Sequence, residues 1–187
     1  MKKTVLTFGL ISGAILSVTM LATLPFMDAI GFDRGAVIGY TSMVLAFLLI
    51  FFGIRSYRDN VAGGTVRFGR AFAVGALIAL VASLCYVATW ELIYYKLDPD
   101  FIAKYQTYEL TKAREAGASA EAIAKKKADL DKFAELYKNP AINAAITFLE
   151  PLPVALVVTL VTAGVLSRKK KGQAGEDDVI AGARAST

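Results

Sequence analysis

The chain has 187 residues, of which 56% are apolar, and its formal net charge is +5. It contains no histidine and one cysteine, which excludes Ser-His-Asp and Cys-His catalysis and an internal disulfide. The basic residues stand at the ends of long apolar runs, a pattern typical of membrane-crossing helices rather than of nucleic-acid binding.

Four apolar runs predict an all-α bundle of four transmembrane helices. The predicted spans are residues 4–27, 35–54, 71–95 and 141–167. No small-residue cleavage site follows the first run, so we expect it to remain as a span rather than to be removed as a signal peptide. A polar turn over residues 28–34 is expected to make the first two spans antiparallel, and the basic segment 55–59 is expected to close the second.

The segment between the third and fourth runs is polar and predicts an amphipathic helical hairpin over about residues 99–138. Asp98 is expected to cap its first helix and Gly117 to end it, while Ser119 is expected to cap the second. Acidic residues alternate with its lysines, which favours a solvated helix face over a nucleic-acid patch.

The fourth run is interrupted by Glu150, Pro151 and Pro153. Proline removes a backbone hydrogen bond, so a kink is expected there, which membrane bundles tolerate. The membrane domain is predicted to cover residues 1–171, and the polar segment 172–187 is predicted to be a disordered tail.

Basic residues at the span ends predict the orientation, because they favour the cytoplasmic side. With four crossings, all of these anchors fall on one side, which places both termini in the cytoplasm. The anchors are Lys2, Lys3, Arg55, Arg58, Arg67, Arg70, Arg168, Lys169, Lys170 and Lys171.

Two stripes of small residues recur at intervals of four and predict close helix packing. We favour packing within the chain over a dimer seam for the first stripe, because other helices are at hand. The stripes consist of Gly9, Gly13 and Ser17 in the first span and of Gly75, Ala79 and Ser83 in the third.

Carboxylates within or beside the spans are the groups that could carry a function, since ionisable groups inside a membrane often bind protons or cations. A purely structural role at the membrane interface is the favoured interpretation. The candidate ion or proton site comprises Glu91, Glu150, Tyr94, Tyr95, Asn143 and Thr147.

No catalytic residue, metal site or cofactor is predicted, so we expect the protein not to be an enzyme. The leading hypothesis is a non-enzymatic assembly or accessory component of the lipid bilayer, which contacts a second copy or a membrane-protein partner and binds no nucleic acid. The alternative is a small transporter linked to protons or cations.

Several motifs together resemble a bacterial domain-of-unknown-function family, number 4199, over about residues 1–170. They are GYTSM at 39–43, FGIRSYRD at 52–59, WE at 90–91, PDF at 99–101, YKNP at 137–140 and TFLEPLPV at 147–154. The resemblance implies a small protein of the bacterial inner membrane with four helices. It implies no activity, substrate or catalytic residue.

Overall fold

A computed structural model describes residues 1–168 as a helical protein. A 3₁₀ turn, Leu24–Phe26, joins the first two helices, and a π-helical turn, Ile93–Leu97, extends the fourth. The α-helices in the described range are α1 Lys2–Thr23, α2 Met27–Ile30, α3 Phe32–Asn60, α4 Phe68–Leu92, α5 Phe101–Glu115, α6 Ala120–Tyr137, α7 Pro140–Leu149 and α8 Leu152–Leu166.

Four helical segments are long and apolar enough to cross a membrane: Lys2–Ile30, Phe32–Asn60, Phe68–Leu97 and Pro140–Leu166. The predicted all-α fold with four such helices and a helical hairpin between the third and fourth is therefore confirmed. The predicted anchors Lys169, Lys170 and Lys171 and the predicted tail lie outside the described residues.

Helix α4 lies at the centre of the bundle and packs against α1, α3 and α8. The side chains between these helices are completely buried, among them Phe47, Ile50 and Ile54 of α3 and Val74 and Ile78 of α4. Because lipid tails are as apolar as these side chains, close van der Waals packing rather than water exclusion holds such helices together.

A turn does lie within the predicted segment 28–34, but its predicted extent is wrong, because the chain there is almost entirely helical. Helix α2 ends at Ile30, and α3 begins at Phe32. Gly31 alone makes the turn, with φ 76° and ψ 159°, a conformation that is essentially confined to glycine. One permissive residue therefore replaces the seven-residue loop that the polar composition suggested.

The second helix also extends beyond its predicted end at residue 54 and continues to Asn60. Arg55 and Asp59 pair across one helical turn, with Nε and Oδ2 3.6 Å apart, which supports a helix in a polar segment. The polar residues after residue 54 thus end the apolar run, but the helix continues through them.

The hairpin forms as predicted at its central turn. Gly117 adopts φ +73° after α5, and the Ser119 hydroxyl accepts a hydrogen bond of 3.2 Å from the Ala122 N–H at the start of α6. The predicted Asp98 cap is wrong, since α5 begins later, at Phe101. Asp98 instead accepts a hydrogen bond of 2.9 Å from Lys104, which raises the pKa of that lysine.

The hairpin packs against the end of the bundle through a cluster of aromatic rings. The Phe32 ring at the start of α3 lies 5.5 Å from Phe101, 5.4 Å from Tyr105 and 5.1 Å from Tyr108, measured between centroids. Lys112 adds an exposed ion pair of 2.6 Å with Asp33, which contributes little beside the aromatic contacts.

Candidate functional site

The small-residue stripe of α1 lies directly against α4. A Cβ atom added to Gly9 would lie 2.7 Å from the Val81 Cβ, and one added to Gly13 would lie 2.6 Å from the Cys85 Cβ. The Ser17 hydroxyl accepts a 2.7 Å hydrogen bond from Thr89. These residues therefore pack against another helix of the same chain.

The stripe of α4 is likewise enclosed by the bundle. A Cβ added to Gly75 would lie 2.7 Å from the Thr159 Cγ2 of α8, and Ala79 and Ser83 are buried. The small-residue faces that the sequence offers for contact with a partner are thus already in contact with neighbouring helices.

The fourth membrane helix is broken at Glu150. Helix α7 ends at Leu149, and α8 begins at Leu152. Pro151 and Pro153 have no N–H group, so they cannot donate the helical hydrogen bonds that would continue α7 into α8. Glu150 therefore stands at the break, directly after the last residue of α7.

Glu150 is held by a tyrosine of α4. The buried Tyr86 hydroxyl donates a hydrogen bond of 2.8 Å to Oε2 of Glu150, while the Glu150 residue as a whole is exposed. Tyr86 therefore fixes one side of the carboxylate, next to a cavity that Glu150 helps to line.

A second set of polar contacts fixes the aromatic side chains beside Glu150. Asn143 is completely buried, and its Oδ1 accepts hydrogen bonds from Trp90 Nε1 at 3.0 Å and from the Thr147 hydroxyl at 3.3 Å. The Thr147 and Tyr137 hydroxyl oxygens are 3.2 Å apart. Burial raises the pKa of the Tyr137 phenol, which therefore stays protonated at neutral pH.

A cavity of about 380 Å³, which we call the aromatic cavity, lies between α1, α3, α4 and the hairpin, and it is bordered by Tyr86, Trp90, Tyr137 and Glu150. Its volume lies in the range of small-molecule sites. Glu150 is the single carboxylate among its lining residues within the described chain. The rings that line it include Phe32, Tyr86, Trp90, Phe101, Tyr105 and Tyr137.

The structure separates the residues of the predicted site into two groups. Glu150 lines the aromatic cavity, and Asn143 and Thr147 lie behind its wall. Glu91 does not line the cavity, and its buried Oε1 has no hydrogen-bond partner within the described chain. Tyr95 also stands apart from the cavity on the π-helical turn.

Tyr94 lies beside the wall rather than in it. Its ring centroid is 6.3 Å from that of Trp90 and 5.6 Å from that of Tyr137, so it supports two rings that line the cavity.

Sequence reasoning did not identify Tyr86 as the partner of Glu150, because Tyr86 lies inside an apolar run. The sequence nevertheless contained an indication that Tyr86 has a polar partner. Tyr86 and Trp90 are four residues apart and therefore share a face of α4, and both contain a polar group that needs a partner when buried.

A family model described as a protein of unknown function, DUF4199, matches residues 7–168. The chain belongs to this family. No curated protein and no solved structure matches the chain. The family membership is consistent with the apolar helices of a multi-pass membrane protein, and it assigns no biochemical activity to the aromatic cavity.

Proposed function

We propose that the chain is a non-enzymatic membrane protein that binds a small organic cation in the aromatic cavity. The observation that carries this proposal is the position of Glu150, the single carboxylate among the described residues that line the aromatic cavity. Ring faces attract cations, with about 0.5–2 kcal/mol for each well-placed contact, and the carboxylate supplies the opposite charge.

An organic cation fits these groups better than a metal ion does. Calcium takes six to eight oxygen ligands and magnesium an octahedral set of oxygens that includes retained waters, whereas most of the residues that line this cavity are aromatic or apolar. The cavity offers one carboxylate among its described lining residues. Within the described chain, no group of three or more Cys, Asp or Glu side chains is arranged to share an ion.

The hydroxyl groups of the cavity support a binding role rather than an enzymatic one. Ser42 donates a hydrogen bond of 2.7 Å to the Gly39 carbonyl, and Thr23 donates one of 2.9 Å to the Thr19 carbonyl. Both are therefore engaged with backbone groups of their own helices, and the chain has no histidine to activate a nucleophile.

The basic residues support an inner-membrane location with both termini in the cytoplasm. Arg58, Arg67, Arg70 and Arg168 lie together at one end of the bundle, and basic residues favour the cytoplasmic side. The aromatic cavity then faces outward. Labelling of single cysteines placed at the exposed Val61 and Ala116, in a chain without Cys85, with an impermeant maleimide tests this, since only the cysteine at position 116 should react in intact spheroplasts.

Assembly with a second copy or a membrane-protein partner is the second candidate function. The small residues that suggested it are packed within the chain, so any such contact would use lipid-facing side chains. Exposed apolar residues of α8, including Leu156, Val157 and Val161, provide such a face. Cross-linking in membranes would test it, with enlargement of Val161 to Trp as the disrupting change.

Trp90 provides a direct test of cation binding, because it is the single tryptophan of the chain and lines the cavity. Choline and 3,3-dimethyl-1-butanol are suitable probes, since they have nearly the same shape but only choline is charged. We expect choline to change the Trp90 fluorescence at lower concentrations than the alcohol. Glu150→Gln should weaken choline binding by about tenfold, equivalent to about 1.4 kcal/mol.

Glu91→Gln is the matched control, because Glu91 lies near the same end of the bundle but outside the cavity. It should leave choline binding within twofold of the unchanged protein. Equal binding of choline and the alcohol, or equal weakening by both glutamine variants, would contradict a cation site at Glu150.

A further inference from the structure

A second cavity, of about 760 Å³, lies at the opposite end of the bundle, and we call it the arginine cavity. The end of α3, the loop that follows it, the start of α4 and the end of α8 form its walls. Four arginines line it, together with the hydroxyl-bearing Thr65 and Ser167. No carboxylate lines it within the described part of the chain.

The arginines converge from separate parts of the sequence. Arg58 ends α3, Arg67 and Arg70 flank the start of α4, and Arg168 follows α8. Residues that act only as topological anchors need to lie near the boundary of the membrane, but they need not face one another. Arg55, which lies at the same end of the bundle, does not line this cavity.

The residues that the structure describes balance the charges of the arginine cavity poorly. Arg58 is paired with Asp59, with Nε and Oδ1 2.7 Å apart. Arg67 and Arg70 form no ion pair with any described residue. Like charges that share a cavity repel one another, and an anion bound between them relieves this repulsion.

The loop that positions Arg67 is fixed by backbone contacts. The N–H group of Gly64 donates a hydrogen bond of 2.9 Å to the Arg58 carbonyl, and positive φ values at Gly63 and Gly64 allow this tight path. Val66 is buried in the bundle. A site formed on such a fixed loop loses less entropy on binding than a mobile one.

We propose that the arginine cavity binds a phosphate group. Guanidinium groups match phosphate oxygens with paired N–H donors, which distinguishes arginine from lysine at such sites. The cavity also lies where apolar helices end, which is the depth of lipid headgroups, and basic pockets between membrane helices suit anionic headgroups. The phosphate can therefore come from an anionic lipid or from a soluble phosphorylated molecule.

Native mass spectrometry of the full chain in detergent tests this, with phosphatidylglycerol and phosphatidylcholine as the lipid probes. Calorimetry with pyrophosphate tests the soluble source. We expect Arg67→Gln and Arg70→Gln each to weaken binding of the preferred probe by about fivefold, the effect of losing one partly exposed charged contact. Arg55→Gln is the matched control and should change it by less than twofold.

The two sources give different results. Preference for phosphatidylglycerol that depends on Arg67 and Arg70 supports a lipid headgroup, and pyrophosphate binding with the same dependence supports a soluble phosphate. If Arg55→Gln weakens binding as much as Arg67→Gln and Arg70→Gln do, the probe binds to a diffuse basic surface. That result overturns the proposal. Equal binding of both lipids without pyrophosphate binding overturns it too.

Discussion

Replacement of Gly13 by alanine tests the contact between α1 and α4 on which the bundle depends. The added Cβ would lie 2.6 Å from the Cys85 Cβ and 2.8 Å from its Sγ. Carbon atoms in favourable contact are about 3.5–4.0 Å apart, so the helices must separate by roughly 1 Å. Overpacking of this kind costs about 1–3 kcal/mol.

Alanine also favours the helical conformation over glycine by about 1 kcal/mol, which offsets part of this cost. The Cys85 Cβ cannot rotate away as a flexible side chain would, so we place the overlap cost near the upper end of its range. Gly13→Ala should therefore lower the free energy of unfolding by about 1–2 kcal/mol. Unfolding by SDS in mixed micelles, followed by circular dichroism, measures this change.

Gly39→Ala is the matched control, because a Cβ added to this helical glycine would meet no atom within 4 Å. It should raise the stability by up to about 1 kcal/mol. Cys85→Gly should rescue Gly13→Ala in part, with a coupling energy of about 1 kcal/mol or more. Equal effects of the two alanine substitutions, or the absence of coupling, would refute a close contact between α1 and α4.

Four further substitutions test other parts of the structure. Gly31→Ala should lower stability in the same unfolding assay by about 1–3 kcal/mol, because its backbone conformation is confined to glycine. Asn143→Ala should cost about 1–3 kcal/mol and shift the Trp90 emission, since a buried indole N–H loses its acceptor. Phe32→Ala should increase hydrogen exchange in the hairpin, whereas Lys112→Gln should change it little. The pKa of Lys112 is raised, so its amine stays charged from about pH 6 to 9. The ion pair between Lys112 and Asp33 should therefore stay closed over this range, and its opening should not contribute to hydrogen exchange in the hairpin.

The sequence was sufficient to predict the four membrane helices, because uncharged runs of this length have few other stable structures in lipid. The hairpin was also predictable, since Gly117 and Ser119 have strong and local preferences for ending and starting a helix. The short extent of the turn at Gly31 was missed for an equally local reason. Polar residues around it suggested a loop, although α2 and α3 accommodate them at the end of the bundle.

The candidate site was less predictable because its contacts join distant parts of the chain. Glu150, Asn143 and Thr147 were identified by their chemistry and spacing on one apolar segment. Their partners Tyr86 and Trp90 lie more than 50 residues away, and the choice between the two glutamates depends on how α4 and α7 pack. Spacing along one helix cannot supply that information.

The packing of the bundle also bears on the choice between a binding protein and a transporter. The aromatic cavity and the arginine cavity lie at opposite ends, and completely buried side chains such as Phe47, Ile50 and Ile78 fill the bundle between them. Transport would require these side chains to part and α1 to move away from α4, where Gly9 and Gly13 bring the two helices into direct contact. The binding proposed at Glu150 requires neither movement, because Glu150 already lines the aromatic cavity. The described packing therefore fits the proposed binding of a cation at one end of the bundle, which needs no passage through the core.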